Sequence, residues 1–224
     1  MSQHMQHTDL MRTRLTRLFE AAVAAARAEN CLPQHLPPAE TNGRILLLAA
    51  GRAAGAMTAV AERVYLDEHG LSPDRLTGLC VTRHGYARPT RHIPVIEAGH
   101  PVPDSAGVEG TAKCLEIAAG ARPGDRIVVL LSGGGSANWV APVAGVSLAD
   151  KQAVTRALLR SGAAIDEINT LRRHLSRIKG GRLAAARGAG SLMTTLAVSD
   201  VPNDEAIAIA SGPTLPDPST LADA

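Results

Sequence analysis

Apolar residues fall in two alternating patterns along this chain. Short continuous runs stand at 44–50 (Arg-Ile-Leu-Leu-Leu-Ala-Ala), 76–82, 93–97, 127–131 and 192–198. Between and before them, apolar positions recur every three or four residues, at 10–28, 53–66, 105–119, 148–161 and 166–178. Fully apolar runs that feed helical stretches predict buried parallel strands covered on both faces. The predicted fold class is therefore α/β, a three-layer αβα, Rossmann-like domain with a mainly parallel sheet of about five or more strands.

Local signals sharpen these bounds. Pro94 directs the 93–97 run to a sheet edge or a strand start, because proline donates no ladder hydrogen bond. Asp104-Ser105 is a helix cap, and Ser147-Leu-Ala-Asp150 has capping-box spacing. Pro33, Pro37, Pro38 and Thr41-Asn42-Gly43 mark a loop before the first strand. The expected division is a disordered polar start at 1–9, one α/β domain at 10–212, and a linker with the first turn of a cut-off helix at 213–224.

Composition narrows the function classes. With 224 residues, 45% hydrophobic and 20% charged, the chain has the balance of one globular domain. Its 23 basic and 21 acidic residues are interspersed and its aromatics are 2%, which argues against nucleic acid as a partner. Three widely spaced cysteines, Cys31, Cys80 and Cys114, read as reduced thiols. No stretch reads as a signal peptide or membrane span, so the expected location is cytoplasmic, with no membrane partner.

Five motifs carry candidate chemistry. Ser132-Gly133-Gly134-Gly135-Ser136 follows a buried strand, where bare backbone N–H groups and hydroxyls suit a phosphate or carboxylate; a flexible turn is the structural alternative. It lacks the Gly-Lys-Ser/Thr of a Walker A loop, and Asn138 stands where a dinucleotide fingerprint has its last glycine. Gly51-Arg52 sets a full positive charge at a second strand end, either for an anion or simply solvated. Residues 171–182 hold Arg172, Arg173, His174, Arg177, Lys179 and Arg182; read as a helix, they place Arg172, Ser176 and Lys179 on one face, anion-binding or solvated. Asp200 ends an apolar run and suits magnesium or a hydroxyl proton, with a turn or cap as the alternative. His100 lies in a proline-rigid loop, as an acid, base, ligand or structural residue.

Taken together, Gly51–Met57, Glu97–Asp104, Leu131–Ala137, Arg173–Leu183, Ser199-Asp-Val-Pro202 and Ile209–Thr214 resemble the class II glycerate kinases (glycerate 2-kinases; older label hydroxypyruvate reductase). The resemblance runs from about residue 10 to the end. It implies transfer of the ATP γ-phosphoryl group to the 2-hydroxyl of D-glycerate with Mg2+, in a cleft completed by a second, MOFRL-type domain that supplies a catalytic arginine. It also implies Arg52, Lys179 and Asp200 as catalytic residues, and Ser132, Gly133, Gly134, Gly135, Ser136, Arg173 and His174 as substrate or nucleotide ligands. Asp200 is the implied metal ligand. Arg52 and Arg173 stand where the family has lysines, Asn138-Trp139 where it has small or aliphatic residues, and Asn203 where it has glycine.

Three functional readings follow: the amino-terminal part of a glycerate 2-kinase, a non-catalytic homologue that binds anions or nucleotide, and a nicotinamide-dependent hydroxypyruvate reductase. The expected partners are D-glycerate and ATP, with a homodimer or a separate carboxyl-terminal domain chain covering the open cleft.

Overall fold

The computed structural model describes residues 3–40 and 42–224. Met1 and Ser2, at the head of the polar start, and Thr41, in the expected loop before the first strand, lie outside the described residues. The helices are α1 (Gln3–Ala26), α2 (Ala28–Cys31), α3 (Ala54–Arg63), α4 (Ser105–Ala119), α5 (Gly135–Asn138), α6 (Leu148–Ser161), α7 (Ile165–His174) and α8 (Arg182–Ala185). The strands are β1 (Ile45–Ala50), β2 (Leu76–Arg83), β3 (Val95–Ala98), β4 (Arg126–Ser132) and β5 (Leu192–Val198).

All five strands pair in parallel, in the order β3-β2-β1-β4-β5. Successive side chains of a strand point to opposite faces, and β1 splits its apolar run accordingly. Ile45, Leu47 and Ala49 meet Met57, Val60 and Ala61 of α3 on one face. Leu46, Leu48 and Ala50 meet Cys114 and Ala118 of α4, with Trp139, Ile178 and Leu183, on the other. Two cores around one sheet make the three-layer αβα, Rossmann-like architecture that the apolar runs predict. Burial on both faces is also why the β1 and β4 runs do not alternate with polar residues, whereas the edge strands β3 and β5 are only partly buried.

The caps form as the spacing predicts. Asp104 accepts from the Gly107 amide at 3.0 Å, and Ser147 and Asp150 exchange reciprocal bonds at the start of α6. β3 lies at the sheet edge and begins at Val95, directly after Pro94, whose carbonyl accepts from the Cys80 amide. Its approach is fixed by buried Glu62 of α3, which accepts from the amides of Arg91, His92 and Ile93 at 2.6–2.8 Å.

Two elements differ from the sequence reading. α7 stops at His174 rather than continuing to Ile178, because the next residues pair elsewhere: Ser176 bridges Pro142, and the Arg177 amide donates to the Ala141 carbonyl at 2.8 Å. α1 begins at Gln3, upstream of the apolar spacing, and leaves Leu10, Leu15, Leu18 and Phe19 exposed. Among the described residues no helix is long and apolar enough to cross a membrane.

One polar anchor ties the two central strands at their starts. Buried Asp125 accepts from the Arg44 backbone amide at 3.0 Å, from the Arg44 guanidinium at 2.6 and 3.2 Å, and from the Arg122 amide at 2.8 Å. Burial alone raises the Asp125 carboxyl, but the Arg44 guanidinium and the two amides outweigh it and hold the group at about 2, below its ordinary 3.8. A depressed folded-state value stabilises above the unfolded value and is lost as pH falls through the folded one. Asp125→Ala is therefore expected to cost about 2–4 kcal/mol at neutral pH, through lost bonds and an unpaired Arg44. Asp125→Asn is expected to flatten the decline in stability between about pH 4 and pH 2. Urea unfolding across that range checks both.

Candidate active site

In a doubly wound sheet, ligands bind beyond the strand carboxyl ends where the strand order reverses. Here that point lies between β1 and β4. The loops leaving these strands are tied together: the Arg52 amide donates to the Gly133 carbonyl at 2.9 Å, and the Ala53 amide to the Ser132 hydroxyl at 2.9 Å. Thr82 at the end of β2 donates to the Gly51 carbonyl at 2.9 Å, adding a third strand end. β5 brings Asp200 to the same place, where its carboxylate pairs with the Arg52 guanidinium.

This crowding explains the glycine at 133. A Cβ there would lie 1.8 Å from Asp200 Oδ2 and 2.7 Å from Arg52 Nη2. The backbone is thus bare where two charged side chains press against it, and an incoming anion can reach main-chain N–H groups. Gly134 precedes α5 in the left-handed region, and the first N–H groups of such a turn have no intrahelical acceptor.

The cleft has a volume of about 430 Å3 and is lined by Arg52, His100, Gly133, Ser136, Arg172 and Asp200, among others. Burial, then Arg83, Arg52 and Arg172, push the His100 imidazole below its ordinary value, so it is neutral at physiological pH. Ser136 shares a hydrogen bond with Ser211 at 2.6 Å, and Ser211 donates to Asn169 at 3.0 Å. Ala210 and Ser211 both hold positive φ, 52° and 59°. Such strain clusters at functional sites, and here the Ser211 bonds hold it. Asn203 also sits at positive φ, 57°, a conformation asparagine tolerates better than most residues.

The remaining candidates divide. Lys179 is buried behind the cleft, donating to the Trp139 carbonyl. Arg173 and His174 do not reach the cleft. Arg173 pairs with Asp217 at 2.8 Å, and His174 contacts Ser219 at 3.1 Å. Arg172, Ser176 and Lys179 do line one space although no single helix carries them. Asn169 and Lys151 carry no motif in the sequence, each standing among other polar residues of an ordinary helix. Ser211 lies within the Ile209–Thr214 motif, but without a role of its own, and Gly212-Pro213 marks a fixed turn after it. Among the described residues, no three His, Cys, Asp or Glu side chains gather as metal ligands.

A larger cavity, about 610 Å3, opens at the β5 edge along Leu192, Met193, Thr195, Ile209 and Leu215. It lies away from the glycine loop, and Arg187 is its charged lining residue. Chemistry favours the smaller cleft, where charge, bare amides and strand ends converge.

Over residues 14–224 the sequence matches the family described as Domain of unknown function (DUF4147). The chain belongs to that family. This DUF4147 chain is 45% identical over 210 residues to an Agrobacterium vitis protein that carries the provisional name hydroxypyruvate reductase, covering 94% of this chain and 46% of the relative. It is 43% identical over 186 residues to a glycerate 2-kinase of Pyrococcus horikoshii, covering 83% of this chain and 40% of that enzyme. Its fold superposes on the crystal structure of glycerate kinase from Thermotoga maritima with a TM-score of 0.82 at 36% identity, over 96% of this chain and 50% of that one. The DUF4147 chain thus spans about half the length of the relatives it matches.

Proposed function

We propose that this chain supplies the phosphate-handling wall of a glycerate 2-kinase, which transfers the γ-phosphoryl group of ATP to the 2-hydroxyl of D-glycerate. The observation that carries this reading is the convergence of Arg52, the Gly133–Ser136 loop and Asp200 at the β1/β4 switch point. A phosphoryl group in flight is stabilised chiefly by position and charge. In this reading Arg52 and the loop amides hold the phosphates, with Ser132 fixing the loop. Asp200 serves the metal or takes the hydroxyl proton, and neutral His100 is a second proton acceptor in the cleft.

Magnesium that arrives on nucleotide phosphates needs only one or two protein carboxylates. Asp200, the carboxylate lining the cleft, fits that requirement once Arg52 turns to phosphate. The ion would supply charge neutralisation at the phosphates. We assign Arg173 and His174 to holding the Asp217–Ser219 segment rather than to substrate. The relatives' greater length supports a cleft whose opposite wall is formed by residues outside these 224. We take the compartment to be the cytoplasm, in keeping with three free cysteines and an ATP substrate.

A second reading, an anion-binding homologue without turnover, is favoured by Arg52 itself, because its ion pair occupies the one carboxylate that magnesium would use. The test is ADP release with ATP, magnesium and D-glycerate, on this chain alone and mixed with the part of the Thermotoga maritima enzyme that it does not match. The kinase reading expects equimolar ADP and 2-phosphoglycerate with the added part. Silence in both arms, with Arg52→Lys also silent, contradicts it and favours the binding homologue.

A further inference from the structure

Behind the glycine loop three cations meet without an acid. Lys151 comes from α6, Arg172 from α7 and Lys179 from the segment after it, and together with Ser136 and Ser176 they line one narrow space. Lys151 and Lys179 are 6% and 3% exposed. None of the three forms an ion pair with a carboxylate among the described residues. Lys179 reaches only the Trp139 carbonyl, and Arg172 only Asn169 Oδ1 at 3.3 Å. Lys151 Nζ has no protein acceptor among the described residues.

Burying ammonium groups beside one another, unpaired, is costly unless an anion joins them or a proton leaves. Both lysines register that cost. Burial, then Arg172, pushes Lys151 down to about 8, and burial, Lys151 and Arg172 push Lys179 well below its ordinary range. The space they enclose, about 10 Å3, admits one water-sized atom. It adjoins the cleft, since Pro101, Ser136, Ala137 and Arg172 line both.

We propose that Lys151, Arg172 and Lys179 form a carboxylate subsite at the floor of the cleft, which receives one carboxylate oxygen of the 2-hydroxy acid. A phosphate group is too large for a one-atom space, whereas a carboxylate oxygen entering from the cleft leaves the rest of a three-carbon acid in the cleft that Arg52 and Asp200 line. Lysines suit this task because a point charge needs no bidentate match. The subsite rests on the kinase reading only for the identity of the acid.

The test is calorimetric titration of the full chain with D-glycerate, D-lactate, glycerol, inorganic phosphate and magnesium-ATP, for the wild type and Lys151→Met. D-Glycerate is expected to bind with proton uptake, seen as a buffer-dependent heat, and to lose about ten-fold or more in affinity in the variant. Magnesium-ATP affinity is expected to stay within about two-fold, and glycerol, which lacks the carboxylate, not to bind. Ligand-free Lys151→Met is expected to melt at a higher temperature, since an uncompensated buried charge has been removed. A structural lysine would give the opposite shift. Should Lys151→Met not fold, Lys151→Gln carries the same comparison.

Undiminished D-glycerate binding in the variant overturns the subsite, even if ADP release stands. Loss of phosphate or magnesium-ATP affinity in its place also overturns it, because the cations then serve phosphate. Binding of D-lactate but not D-glycerate, dependent on Lys151, keeps the subsite and removes the kinase assignment. No binding by either acid overturns the subsite, and the kinase reading then stands or falls on ADP release with the added part.

Discussion

Gly51→Ala is expected to destabilise the fold by about 3 kcal/mol or more, the sum of backbone strain and overpacking. Gly51 adopts φ of 119° at the end of β1, and a Cβ there would lie 2.4 Å from both the carbonyl oxygen and the hydroxyl of Ser132. Neither atom can give way, because the Ser132 hydroxyl accepts from Ala53 and its residue closes the β4/β5 ladder. Relief requires parting β1 from β4 at the point where Arg52 and the glycine loop are joined, so anion binding falls along with stability. Gly70 separates the two causes. It also holds positive φ, 63°, but a Cβ would meet nothing within 4 Å, so Gly70→Ala is expected to cost only about 1 kcal/mol. Urea midpoints of the two variants provide the check, and equal losses would show that the close approach at Gly51 has no consequence.

Arg52→Ala is expected to weaken magnesium-ATP binding about 10- to 100-fold, the worth of a charge-assisted hydrogen bond to phosphate. Stability is expected to change by less than about 1 kcal/mol, because both partners of the Arg52–Asp200 pair are nearly half exposed and solvent screens it. A large stability loss with unchanged nucleotide affinity would make Arg52 a structural tie between loops. Asp200→Asn sharpens the contrast: it is expected to keep magnesium-free nucleotide affinity and to lose the gain that magnesium brings.

Much of the fold was legible because its signals are local. The run at 45–50 is apolar at every position, and β1 is buried on both faces. Ser147 and Asp150 cap a helix because a hydroxyl and a carboxylate three residues apart satisfy each other's amides. The end of α7 was not legible, since bonds from Ser176 and Arg177 to residues 141–142 outweigh helix continuation.

The site divides in the same way. Arg52, the glycine loop and Asp200 each announced themselves as chemistry at a strand end, and the strand-end rule predicts that they meet. Arg173 and Arg172 look alike in the sequence, yet Asp217, 44 residues on, claims the first and leaves the second to the cleft. Lys151 stands on a helix as an ordinary surface lysine would. Only its place four residues before Thr155, on the inward side of α6, sets it apart.

In the proposed kinase, nucleotide phosphates lie between β1 and β4. The most direct test is a crystal structure of this chain with magnesium and a non-hydrolysable ATP analogue. Phosphate density is expected against the 133–136 backbone and the Arg52 guanidinium, with Asp200 turned to the metal. Phosphates seated in the cavity at the β5 edge, beside Arg187 and Met193, would contradict that placement.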